Sequence, residues 1–259
     1  MHADDAIPTG PLPRNVEPTL VQLQLWLDPR QERFSGTVRI EARVAAPARV
    51  VWMHGRDLDI TRAEAVLGDG RRLPLEAEQV HDSGVLRLTA AEPLRAGALA
   101  FEFEYGAAFG TIDGAYRAQQ AGRDYVITQM EPLGARKALP GFDEPSFKHP
   151  WEVTLQVPAA DVAVANAPEV ASEPQPDGSK RVRFARTEAL PSYLVAFAVG
   201  PWEVGGCDAA HAEALQQRFG ESLTSIEGGP RALAQNVEDI HLCAALKAAQ
   251  SAPQRASVQ

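Results

Sequence analysis

The chain has 259 residues, 45% of them hydrophobic and 23% charged, with 20 glycines, 20 prolines and a formal net charge of −9. That length holds one large β domain or two smaller domains, each able to bury a core, and the composition is that of an ordinary globular protein. The acidic balance is spread along the chain without basic stripes, which excludes a nucleic-acid partner, and no apolar run approaches the ~20 residues of a membrane-spanning helix.

Residues 1–17 are Pro-rich and polar and read as an extended leader, without the basic and apolar regions of a signal peptide. Cys207 and Cys243 are the two cysteines. Without an export signal they predict reduced thiols and a cytoplasmic protein.

A period of two begins near residue 18. Val21, Leu23, Leu25 and Leu27 share one parity, and Val38, Ile40, Ala42 and Val44 do the same against Arg39, Glu41 and Arg43. The pattern recurs at Val85 to Leu88, at Leu99 to Tyr105, and at Val153, Leu155 and Val157. Such alternation predicts half-buried antiparallel strands. Gly68-Asp69-Gly70 and Asp177-Gly178 supply hairpin turns, and the apolar run Tyr193 to Gly200 predicts a strand covered on both faces. Residues 18–204 therefore read as one β domain of roughly ten strands, a sandwich or a large curved sheet.

The period changes after Gly205-Gly206. Leu215 and Phe219 suggest a short helix; Gly228-Gly229-Pro230 opens a second, with Leu233, Val237, Ile240 and Ala244 along one face. Residues 205–250 thus predict a helical hairpin whose apolar faces need the β domain or a partner to lie on, and residues 251–259 a disordered tail.

The densest group of directional polar residues lies in Thr128–Lys148, TQMEPLGARKALPGFDEPSFK. Positions 129 and 131 share a face if the strand runs through them, so Gln129 and Glu131 would form an acceptor cradle suited to an ammonium group. From the residues alone, the simpler reading is that Glu131 caps a loop or pairs with Arg136 or Lys137. Arg136, Asp143 and Glu144 invite an acid–base reading, but a salt bridge between Arg136 and Asp143, in a loop shaped by Pro140 and Pro145, is the simpler one.

Metal binding is weakly supported. The histidines are His2, His54, His81, His149, His211 and His241, and none stands four residues from another. Cys207, His211, His241 and Cys243 form a nominal Cys2His2 set, yet residues two apart on a helix point away from each other, so the second pair cannot chelate. No metal ligands are assigned, and a Cys–His nucleophile lacks supporting residues.

TQMEPLGARKALPGFDEPSFK, followed by HPWEVTLQVP and AVANAPE, resembles the N-terminal domain of the aminopeptidase N-like zinc metallopeptidases, over Leu12 to Val204. Gly141 departs from the pattern, since many members have Cys before the FDEP block. The stretch CDAAHAEALQQRFGESLTSIEGGPRALAQNVEDIHLCAAL is similar to the last helices of the same family's C-terminal domain. The resemblance implies a saddle-like antiparallel β-sandwich followed by a short α-helical hairpin, with the zinc-binding middle of the enzyme missing. It also implies that Gln129 and Glu131 grip the free amine of peptide N-termini. Hydrolysis in that family needs HExxH, a downstream Glu and a GxMEN loop, with one zinc ion in full-length members. This sequence contains neither motif. The expectation is a chain inactive alone, without a cofactor, that associates with a full-length relative. The alternative is a non-enzymatic β-sandwich binding module.

Overall fold

The computed structural model of the chain describes residues 6–202. The expected helical hairpin, the tail and the set Cys207, His211, His241 and Cys243 lie outside the described residues. The strands are β1 (Val16–Trp26), β2 (Arg33–Val44), β3 (Ala48–His54), β4 (Asp59–Leu67), β5 (Arg72–His81), β6 (Val85–Leu94), β7 (Gly97–Ala108), β8 (Gly114–Gln120), β9 (Arg123–Gln129), β10 (Trp151–Pro158), β11 (Val162–Ala165), β12 (Glu169–Pro174), β13 (Ser179–Phe184) and β14 (Phe197–Gly200). Two 3-10 turns, Ala135–Lys137 and Ser192–Leu194, interrupt the loops. Ten strands form one sheet, in the order β12-β13-β10-β1-β2-β7-β4-β5-β6-β3, and four form another, β11-β14-β9-β8.

The longest ladder shows why the sequence folds this way. β2 and β7 pair without a break from Arg33 opposite Ala108 to Val44 opposite Gly97. Phe101, Phe103 and Tyr105 turn inward with Val38, Ile40 and Ala42, while Glu102 and Glu104 take the other face. The inward residues of both sheets merge into one core, with Leu23, Leu25, Phe101 and Phe103 from the large sheet and Val126, Phe197 and Val199 from the small one. Each such large side chain contributes about 1.5–3 kcal/mol by leaving water.

The outer faces differ. On the large sheet, Glu64, Glu102, Arg39, Gln22 and Glu152 stand in register across five strands. Glu64 opposite Glu102 is a like-charge pair, relieved by Arg72, which reaches both at 2.9 and 2.5 Å. Arg39 also pairs with Glu102. On the small sheet, the register puts Ala118, Tyr125, Ile127, Ala198, Val162 and Val164 on the outer side.

The described residues form fourteen strands where roughly ten were expected. The additions include β5 and β12, exposed along most of their length and carrying little apolar alternation to read. The sheet is also not purely antiparallel, because β1 and β10 run parallel. The run Tyr193–Gly200 is not one strand: Leu194 is 40% exposed in a 3-10 turn, and only Phe197–Gly200 is a strand, buried throughout. Part of the expected leader belongs to the domain, since Leu12 and Val16 are buried and β1 starts at Val16. No helix of the described residues is long and apolar enough to cross a membrane.

Candidate functional site

β9 delivers the site. It returns from β8 through Ala121 and Gly122, with φ of 51° and 74°, as a two-residue hairpin loop requires. The ladder runs to its last residue, where Gln129 faces Gly114. The chain then folds back: Gly134 N–H donates to the Met130 carbonyl at 2.6 Å, and the 3-10 turn Ala135–Lys137 follows. Gly134 is required there, because a Cβ would lie 2.6 Å from the Gln129 carbonyl oxygen and 3.0 Å from the Gly114 nitrogen.

Gln129 and Glu131 are both exposed, and Met130 between them is buried. The period of two therefore persists through residue 131, although the strand itself stops at Gln129 and the Glu131–Pro132 peptide is cis. Gln129 Nε2 donates to the main-chain carbonyl of Glu131 at 3.3 Å. The Glu131 carboxylate has no hydrogen bond or ion pair among the described residues.

Its nearest cationic neighbours in sequence are committed elsewhere. Lys137 Nζ lies 2.6 Å from Asp113 Oδ2. Arg136 Nε donates to Asp143 Oδ2 at 2.8 Å, and both side chains are buried. Arg136 also donates through Nη1 to the Ser83 carbonyl at 2.7 Å and through Nη2 to the Asp143 carbonyl at 3.0 Å. Asp143 Oδ1 accepts from Ser192 Oγ at 2.5 Å, and its N–H donates to His54 Nδ1 at 3.2 Å. Every oxygen of the buried carboxylate is therefore bonded, as a charge removed from water demands.

His54 is locked on both sides. Its main chain exchanges hydrogen bonds with Gly141 at 2.7 and 2.8 Å. Burial, reinforced by the Arg136 charge, pushes its imidazole down to about 4, against a smaller opposing pull from Asp143. Neutral His54 thus accepts from Asp143 at neutral pH. Tyr105 closes the inner side, donating to the Ala138 carbonyl at 2.9 Å.

Pro140 is buried beside this network, whereas Pro145 is exposed on a cleft of about 690 Å³ lined also by Ile7, Leu133, Glu144 and Ser146. Glu144 takes no part in the buried network; its Oε1 accepts the Leu12 N–H at 2.7 Å and pins the leader to the loop. Sequence reasoning missed His54, Ser83, Asp113 and Ser192. Three of them come from strands or loops more than fifty positions from their partners or close to that, and no local spacing signals such contacts.

The described residues contain no group of three or more His, Cys, Asp and Glu able to hold a metal ion. The zinc of the resembled enzymes therefore does not fit among them.

Residues 17–194 match the model of the peptidase M1 N-terminal domain. The chain is 31% identical over 193 residues to aminopeptidase M1-D of Oryza sativa subsp. japonica, covering 73% of this chain and 22% of that protein. It is 30% identical over 202 residues to human endoplasmic reticulum aminopeptidase 1, covering 74% and 22%, and 28% identical over 196 residues to aminopeptidase N of Acetobacter pasteurianus, covering 74% and 54%. The chain thus matches between about a fifth and a half of the length of these relatives. With its strand order, the exposed Gln129 and Glu131 at the end of β9 and its buried Arg136–Asp143 loop now in view, the chain belongs to the M1 aminopeptidase family through that family's N-terminal domain.

Proposed function

We propose that this domain is a saddle-like substrate-entry module of the M1 type, in which Glu131, supported by Gln129, receives the free amine of a peptide N-terminus. The observation that carries the reading is the isolation of Glu131. Its carboxylate is exposed at the end of β9, while Arg136 and Lys137, the cations best placed to neutralise it, are spent on Asp143 and Asp113. An exposed acceptor kept clear of internal cations is what an incoming ammonium needs.

The sequence contains neither HExxH nor GxMEN. In this reading the domain supplies the amine-binding end of β9, and hydrolysis belongs to a zinc-bearing region of the full-length type, with which these residues would associate. One ion pair open to water contributes only about 0–1 kcal/mol, so that end alone binds amines weakly.

Two measurements test this. Incubation with zinc and an alanyl chromogenic substrate should give no turnover; chelator-sensitive turnover that Glu131→Ala abolishes would overturn the inactivity. In amide NMR, L-alaninamide at high concentration should shift Gln129, Met130 and Glu131, and N-acetyl-alaninamide should not. Equal shifts from both compounds, or shifts that survive Glu131→Ala, would remove Glu131 from amine binding.

A further inference from the structure

The two sheets treat their outer faces in opposite ways. The large sheet covers its own with glutamates, arginines and glutamines tied into ion pairs, a surface finished for water. The small sheet presents Ala118, Ile127, Val162 and Val164 there, only half-buried, around Tyr125 and Ala198. A face of that composition normally has a cover.

The cover has begun to form within the described chain. After β14 the backbone turns, with Trp202 N–H donating to the Gly200 carbonyl at 2.8 Å. The Trp202 ring lies on Tyr125 with centroids 4.4 Å apart. Trp202 is 7% exposed, yet its indole Nε1 has no hydrogen-bond partner among the described residues. A buried donor left open asks for an acceptor from whatever lies above it. The chain continues from this point for residues 203–259, and Leu233, Val237, Ile240 and Ala244 recur there at steps of three and four.

We propose that the outer face of the small sheet is the docking surface for this chain's own C-terminal segment, with the Leu233–Val237–Ile240–Ala244 series laid against Ile127, Val162, Val164 and Trp202. Attachment decides the occupant. A segment tethered at Trp202 meets the face at an effective concentration of about millimolar, whereas a second copy at micromolar concentration is roughly a thousandfold more dilute. The segment also brings carbonyl and carboxylate acceptors to the Trp202 indole. The outer face of the large sheet offers the series no comparable apolar ground.

The two native cysteines make the test direct, because both lie in the segment and Cys243 is three positions after Ile240 and next to Ala244. In the full chain carrying Cys207→Ser, one new cysteine is placed at Val162, at Val164, or at Val170, which is 56% exposed on β12 of the large sheet. A short bismaleimide followed by peptide mapping should join Cys243 to position 162 or 164 within one molecule, and not to position 170. Intramolecular links should exceed links between copies by about a hundredfold or more at micromolar protein. Equal linking at position 170, no link to either face position, or links only between copies would each overturn the proposal, the last by making the occupant a second copy. As an independent measurement, Val237→Asp/Ile240→Asp in the full chain should speed amide exchange across β11 and β14 and leave β2 and β7 unchanged. Unaltered exchange in β11 and β14 would count against the docking.

Discussion

Glu131 and Asp143 are carboxylates at the two ends of one loop, and their surroundings are opposite. Asp143 is 3% exposed and receives Arg136, Ser192 and its own loop's main chain. Glu131 is exposed, and no described residue contacts its oxygens through a hydrogen bond or ion pair. Arg136 is what separates them: by pairing inward it fixes the loop and at the same time leaves the outer carboxylate uncompensated. Rigidity and availability are divided between two residues of the same charge, so changes at the two ends should have very different costs.

The largest effect is expected at the inner end. Arg136→Met leaves Asp143 buried without its counter-charge and should cost about 3–5 kcal/mol, read as a fall in the urea midpoint by circular dichroism. The double variant Arg136→Met/Asp143→Leu should recover a substantial part of that loss, since it removes both charges. A single variant within 1 kcal/mol of the parent would mean that the ion pair does not hold the loop.

Acid should act on that network through His54, and on the Leu190 and Trp151 neighbourhood through His149. His54 and His149 are both held down to about 4 by burial. Their folded-state values lie below the unfolded value of ~6.5, so the unfolded chain binds more protons between these limits. Stability is then fully present above about pH 7 and falls as pH drops toward 4, by up to about 3 kcal/mol for each residue. Midpoints measured from pH 7 to 4.5 should decline, and His54→Gln, which keeps an acceptor for the Asp143 N–H, should flatten the slope. An unchanged slope would show that His54 is not the titrating group.

Two glycines of the loop give a smaller and oppositely signed pair. Gly134→Ala forces a Cβ against main-chain atoms at 2.6 and 3.0 Å and should cost about 1–3 kcal/mol. Gly141→Ala puts its Cβ at 3.5 Å from Leu139 and 3.8 Å from Ile40, ordinary contact distances at a residue without positive φ. It should stabilise by about 0.4–1 kcal/mol through a less flexible unfolded chain. Smallest of all, Glu131→Gln should change stability by no more than about 0.5 kcal/mol, because nothing in the described fold depends on its charge. A larger loss there would erase the contrast between the two ends.

The sequence made the inner strands legible because each has one dry face. Leu23 and Leu25, Val38 and Ile40, Phe101 and Phe103 alternate with polar residues, and the structure uses that alternation without a slip. β5 and β12 were illegible for the converse reason: with little apolar face to bury, ladder hydrogen bonds to their neighbours hold them, and hydrogen bonding leaves no residue-type signature. The parallel pairing of β1 with β10 was equally invisible, since parity is the same for either strand direction. At the loop, opposite charges seven positions apart made an Arg136–Asp143 contact readable. His54 and Ser192 reach Asp143 from distant segments and were not. The identity of Glu131 was visible; its lack of an internal partner needed the geometry.

The parallel pair also bears on how the chain is made. β1 ends at Trp26 and its partner β10 begins at Trp151, so about 125 residues separate them. At ribosomal rates of roughly 5–20 residues per second, one edge of the first strand stays open for about 6–25 s after it emerges. Only its other edge, beside β2, can be satisfied early. Domain completion is therefore a late event in synthesis, set by a segment that lies just beyond the loop carrying Glu131.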